Sequence, residues 1–226
     1  MSRALRLAVF DVDGTLVDSQ HHINAVMQLA FEGQQLKCPS LDQVRGIIGL
    51  SLPVAMRKLS PNLSDVQYDA LVEGYKATFK SKREAGGAQQ LPPLYPGVRD
   101  LLDRLAQDDE LLLGVATGKS RRGLDAMLDG LGLMQRFVTS QVADNHPSKP
   151  HPSMLLAALS ETGVDAEKAV MIGDTTYDME MGRTARMHCI GVSWGYHDVS
   201  NLRETGAKWI VDDATALSGL LNEIWV

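Results

Sequence analysis

Apolar and polar positions follow two periods along this chain, and the order of those periods predicts a fold. Short apolar runs rich in Val, Leu and Ile stand at Leu5 to Phe10, Leu111 to Val115, Phe137 to Val138, Ala169 to Ile172 and Cys189 to Val192. Runs of this kind mark strands buried on both faces. Between them, apolar residues fall at helical spacing: Leu124, Met127, Leu128 and Leu131; Met154, Leu155, Ala158 and Leu159; Leu217, Leu220, Leu221 and Ile224. Strands separated by helices require crossover connections and hence a parallel sheet. The expected fold class is α/β, a doubly wound, Rossmann-like sheet.

The interval 18–90 breaks that rhythm. It carries helical patterns at Ile23 to Phe31 and Tyr68 to Phe79, a pair of shorter helices around Leu41 to Leu59, and no convincing strand. Turn compositions bound it, with Gly14 and Asp18-Ser19 on one side and Gly86-Gly87 and Leu91-Pro92-Pro93 on the other. A small all-helical cap domain, 18–90, inserted into a core of 1–17 and 91–226, is the expected organisation.

Chemistry gathers at the strand ends. Asp11-Val12-Asp13-Gly14-Thr15 closes the first apolar run, at the edge where open α/β sheets bind ligands. Asp13-Gly14 alone would be an ordinary tight turn. Asp11 is harder to explain, because a carboxylate ending a buried run is costly unless paired, and a metal ion would resolve that cost. A second strand end, Thr117-Gly118-Lys119-Ser120, offers a hydroxyl and backbone N–H groups for phosphate, or simply a helix cap. Lys149 stands between Pro147 and Pro150 on a stiffened backbone, yet by itself reads as a solvated loop lysine. At the fourth, Gly173-Asp174-Thr175-Thr176-Tyr177-Asp178, Asp174 and Asp178 could share a cation, and oxygen ligands suit magnesium. Asp174 or Thr175 could equally cap the helix that follows.

Composition narrows the field further. The 226 residues carry a net charge of −6 and no basic block, which argues against nucleic acid and anionic membranes as partners. The first apolar run is short and interrupted by Asp11, unlike a signal peptide or spanning helix, so a cytoplasmic location is expected. Cys38 and Cys189 read as free thiols, and His21, His22, His146 and His151 form no zinc pattern. Trp194-Gly195-Tyr196-His197 reads as an aromatic loop against the sheet edge, and Trp209 and Trp225 as packing.

In this order the four segments resemble the motifs of the haloacid dehalogenase superfamily, and the likeness runs from Phe10 to about Trp194. The stretch Asp11 to Ser19 looks like the phosphoglycolate phosphatase subgroup, and Arg45-Gly46-Ile47-Ile48-Gly49-Leu50 is similar to its cap loop facing the site. The resemblance implies magnesium-dependent hydrolysis of a small phosphomonoester. Asp11 would attack phosphorus to form an aspartyl-phosphate, and Asp13 would serve as general acid and base. Thr117 and Lys149 would hold the transferring oxygens, while Gly118, Lys119 and Arg45 would contact substrate. Mg2+ would sit on Asp11, Asp174 and Asp13, the last through its backbone carbonyl, with Asp178 binding directly or through water. The implied partner is a small phosphorylated metabolite, and the protein a monomer or weak homodimer. Arg57 and Lys58 in the cap face either a second anionic group of the substrate or solvent.

Three alternatives stay open. The β-phosphoglucomutase group places a cap-hinge histidine 12 residues after the nucleophile, where this chain has Ile23, one past His22. Inorganic pyrophosphate is a second possible substrate. A phosphate-accepting receiver domain uses similar groups, but with its acceptor on a middle strand and without a helical cap.

Overall fold

The computed structural model describes residues 5–86 and 91–225. The expected hinge residue Gly87, like residues 88–90, lies outside them. In chain order the elements are β1 (Arg6–Phe10), α1 (Gln20–Gly33), α2 (Leu41–Arg45), α3 (Leu52–Leu59), α4 (Asp65–Gly86), α5 (Val98–Leu105), β2 (Leu111–Thr117), α6 (Arg121–Gly130), β3 (Thr139–Val142), α7 (Ser153–Thr162), β4 (Ala169–Gly173), α8 (Thr176–Thr184), β5 (His188–Val192), α9 (Val199–Thr205), β6 (Trp209–Val211) and α10 (Ala214–Glu223). The strands form one parallel sheet in the order β3-β2-β1-β4-β5-β6. The α/β class read from periodicity is what the chain adopts.

Strand β1 shows why. Its residues alternate between two apolar layers: Ala8 and Phe10 pack with Leu101, Leu102, Leu124 and Leu217, whereas Leu7 and Val9 pack with Met154, Leu155 and Met181. Leu7, Val9 and Phe10 are fully buried, and burial of each such side chain contributes about 1.5–3 kcal/mol. Helix starts are set locally. Ser120 accepts from the Gly123 N–H at the head of α6, Thr175 and Asp178 form a capping box at the head of α8, and Asp213 caps α10.

Helices α1 to α4 surround their own apolar cluster, built on Met27, Phe31, Val44, Met56 and Leu71. Among the described residues this insert contains no strand. Two tyrosines of the sheet domain, Tyr177 and Tyr196, also pack against the insert's cluster.

Two expectations need correction. The strand placed at Phe137 to Val138 lies further on, at Thr139–Val142. Val138 is 62% exposed while Thr139 and Gln141 are buried, so on this edge strand hydrogen bonding, not hydrophobicity, carries the buried face. Trp209 belongs to a sixth strand that the three-residue run Trp209–Val211 was too short to announce. Among the described residues no helix is long and apolar enough to cross a membrane.

Candidate active site

Four loops at the carboxyl edge of β1, β2, β3 and β4 bring the predicted residues into two adjoining groups. In the first, Asp11, Asp174 and Asp178 each place one carboxylate oxygen within 4.8 Å of the others, and all three are buried. Lys149 is not a solvated loop residue. Its side chain is 0% exposed, with Nζ 2.8 Å from Asp11 Oδ1 and 2.6 Å from Asp178 Oδ1.

Neighbouring residues fix the other carboxylate oxygens. Asp174 accepts from Thr15 Oγ1 at 2.8 Å and from the Tyr196 N–H at 3.0 Å. Asp178 Oδ2 accepts from the Thr175 hydroxyl and N–H, so this one carboxylate both caps α8 and faces the cluster. Asp11 differs: beyond the lysine ion pair neither of its buried oxygens has a hydrogen-bond partner. Gly14, at φ +91°, permits the approach, because a Cβ there would lie 2.1 Å from Asp174 Oδ2.

Three carboxylates facing one ammonium cannot all ionise cheaply. Burial, reinforced by Asp178 and Asp13 and opposed by Lys149, raises the Asp11 pKa to about 7. Burial and the charges of Asp11 and Asp178 hold Asp174 well above the usual carboxylate range. Burial alone would depress Lys149, but the two carboxylates beside it raise it, so the ammonium stays charged. The donor set is all hard oxygen, and Asp11 keeps an unsatisfied oxygen inside it. That combination fits a divalent cation such as Mg2+.

In the second group, Asp13 Oδ1 accepts from Ser19 Oγ and lies 2.9 Å from Lys119 Nζ. The Asp13 side chain is therefore engaged at the junction with the insert, and it is not one of the three clustered carboxylates. Thr117 is buried at the end of β2, where its hydroxyl accepts from the Lys119 N–H at 3.3 Å. A Cβ on Gly118 would lie 2.4 Å from the Leu50 carbonyl oxygen, so this glycine is what lets the insert's loop close on the site. The same loop donates its Ser51 N–H to Ser148 Oγ and accepts at Gly46 from the Tyr177 hydroxyl.

The insert's charged residues are placed differently from one another. Arg45 donates to Gln20 and pairs with Asp42, both in the insert, and Arg57 pairs with Asp65 over the Tyr68 ring. Lys58 instead reaches across to the Tyr177 hydroxyl. His22 packs edge-on against Phe79 and, with Ser19, Ile23 and Lys119, borders a cavity of about 30 Å³ beside Asp13. A roomier cavity, about 330 Å³, is lined within the insert by residues such as Leu36, Cys38 and Leu63 and by none of the clustered carboxylates.

Sequence reasoning assigned no role to Thr15, Ser19 or Tyr196. Thr15 and Ser19 stand inside the Asp11 to Ser19 stretch, which was the available signal. Tyr196 acts through its backbone, and its hydroxyl accepts from the Ser19 N–H; no side-chain pattern could announce that.

Comparison with known proteins agrees with this geometry. The family model described as haloacid dehalogenase-like hydrolase matches residues 8–192. The chain is 36% identical over 222 residues to "Probable phosphatase IndB" of Dickeya dadantii, covering 96% of this chain and 94% of that protein. It is 28% identical to a phosphoglycolate phosphatase of Nitrosococcus oceani, covering 99% of each. Among solved structures, a hydrolase from Pseudomonas syringae shares the fold, with a TM-score of 0.83 at 24% identity over 97% of this chain and 99% of that one. With the matched model spanning all four strand-end loops, the chain belongs to the haloacid dehalogenase-like hydrolases.

Proposed function

We propose that this protein is a magnesium-dependent phosphatase that hydrolyses a small phosphomonoester through an aspartyl-phosphate on Asp11. The observation that carries the reading is the Asp11 carboxylate, buried, held at one oxygen by Lys149 and left without a hydrogen-bond partner at the other. A buried nucleophile with a free oxygen is arranged to react. Relatives named phosphatase and phosphoglycolate phosphatase support the phosphoester class.

The roles follow from position. Asp11 attacks phosphorus in line while Asp13, oriented by Ser19 and Lys119, gives a proton to the departing oxygen. In the second half Asp13 takes a proton from the water that releases phosphate. Lys149 and the Thr117 hydroxyl hold the transferring oxygens. Asp11, Asp174, the Asp13 carbonyl and Asp178 would hold Mg2+, which supplies positive charge against the phosphoryl oxygens. The helical segment 18–90 acts as a cap, with its Gly46 to Ser51 loop closed against Gly118, Ser148 and Tyr177 so that water is excluded during transfer. Arg45, tied to Gln20 and Asp42, would have to change partners to reach a substrate carboxylate.

The test is phosphate release from phosphoglycolate, pyrophosphate, sugar phosphates and nucleotides, with magnesium, with EDTA, and with Asp11→Asn. Release that needs magnesium and disappears in the variant is the expected result. Release that survives Asp11→Asn would remove the covalent mechanism. Isomerisation of a sugar phosphate without net phosphate release would move the protein to the mutases.

A further inference from the structure

A second polar network lies behind the site, on the edge strand. Thr139 donates its hydroxyl to Glu161 Oε2, and Gln141 Nε2 lies 2.8 Å from both that carboxylate oxygen and Thr139 Oγ1. These contacts satisfy Thr139 and the amide nitrogen of Gln141 but leave the Gln141 carbonyl oxygen open. One more residue is joined to them: His146, whose Nε2 is 2.9 Å from Gln141 Oε1 and whose Nδ1 is 2.8 Å from Ser153 Oγ.

The network also sets the direction of every proton. A carboxylate only accepts, so the Gln141 amide nitrogen must face Glu161 and its oxygen must face His146. His146 Nε2 therefore carries the proton and donates to Gln141. The neutral ring then accepts at Nδ1 from the Ser153 hydroxyl. Burial, which depresses the His146 pKa against the influence of Glu161, favours that neutral ring.

Position gives the network its consequence. Gln141 sits in β3 and Ser153 is the first residue of α7. His146 is thus a strut across the base of the loop 143–152, which carries Lys149. The Lys149 ammonium bridges Asp11 and Asp178, and because the four-carbon stem has no rigidity of its own, the loop that carries its Cα sets how well that position is held. Backbone contacts tie the loop only locally: Ala143 N–H to Lys119 O, Asn145 N–H to Val142 O, and His151 N–H to Ser148 O around Lys149; none of these three joins β3 to α7, as His146 does.

We propose that His146 is the positioning residue for Lys149: by joining Gln141 to Ser153 it fixes the loop that aims the ammonium at Asp11 and Asp178. The functional consequence rests on the role given to Lys149 above, whereas the placement itself can be read without turnover.

The experiment is acetylation of the full-length, magnesium-loaded protein by acetic anhydride, with mass spectrometry reporting each lysine. Lys149, with its side chain 0% exposed, should be protected in the wild type. In His146→Ala its acetylation rate should rise at least about tenfold while Lys119 keeps its wild-type rate, and His146→Gln, which can donate and accept in the same two directions, should restore protection. Equal protection of Lys149 in His146→Ala and wild type overturns the proposal. A parallel rise at Lys119 and the other lysines also overturns it, because the histidine then serves general stability. If His146→Ala fails to fold, Ser153→Ala decides by the same selective rise at Lys149 or its absence. Turnover is the second readout: His146→Ala should lower kcat about tenfold or more, and lower nothing further in a Lys149→Met background. A further loss in that background counts against the proposal. If the wild type hydrolyses no ester, it is the phosphatase reading that fails, and the acetylation pattern still decides the role of His146.

Discussion

The ion pairs of the helical insert and those of the strand-end site are built from the same residue types and have opposite consequences. In the insert, Arg57–Asp65, Lys76–Glu73 and Lys80–Glu84 join side chains that are all more than half exposed. At the site, Lys149 and its two aspartates are at most 1% exposed, and Lys119–Asp13 is 11% and 9% exposed. Water screens the first set, so each contributes about 0–1 kcal/mol. No water screens the second, so removing one partner strands a buried charge at a cost of about 3–5 kcal/mol. Charges placed where they are expensive fit the proposed reaction centre, and the three insert pairs keep theirs at the surface.

Substitutions sharpen this contrast, and the largest effect is expected at Asp11. Asp11→Asn should reduce phosphate release to background, measured with magnesium at saturating ester. Next comes Lys149→Met, which should lower kcat by about 10²–10³-fold, as for loss of one oxyanion donor. It should also cost about 3–5 kcal/mol in metal-free urea unfolding, because two buried carboxylates lose their cation. A loss of stability no larger than that of a surface pair would break the comparison.

Titration gives the third test. The Asp11 pKa is raised from its ordinary 3.8 to about 7, with Asp174 shifted the same way. Between these values the folded protein holds protons that the unfolded chain releases, so this stabilising contribution is complete below about pH 4 and disappears as pH rises through 7. Metal-free protein should therefore lose stability from these groups across that window. The gain in Tm on adding magnesium should grow over the same range, because the cation replaces the protons. A magnesium gain independent of pH would remove these carboxylates as ligands.

Smaller effects complete the series. Ser19→Ala removes one of two groups on Asp13 Oδ1; it should lower kcat and cost about 1.5–3 kcal/mol of stability, as for loss of a buried hydrogen bond to a charged group. Lys76→Ala, on the exposed face of α4, should change stability by less than about 0.5 kcal/mol and leave turnover untouched.

Much of this was legible beforehand because it is local. The apolar run before Asp11, the Gly173-Asp174 strand end, and the helical periods that follow the first strand are patterns of neighbouring residues, and periodicity reads neighbours. β3 was misplaced because two of its three buried side chains, Thr139 and Gln141, are polar, and β6 was missed because Trp209–Val211 is too short to show a period. Local pattern alone reads Lys149 as a loop lysine, because nothing within ten residues of it reveals Asp11; only the order of the four motifs joins the two.

The sequence by itself determined the alternation of strand and helix, the insertion of a helical segment after the first strand, and the set of carboxylates, hydroxyl and lysines at the strand ends. Tertiary structure alone decided which of those groups meet: Lys149 rather than Lys119 between Asp11 and Asp178, Ser19 on Asp13, Thr15 on Asp174 across 159 residues, and His146 across the base of the lysine loop. The division has a physical cause. Backbone preference and hydrophobic period act over a few residues, whereas burial, which gives these charges their strength, exists only after distant segments have closed around them.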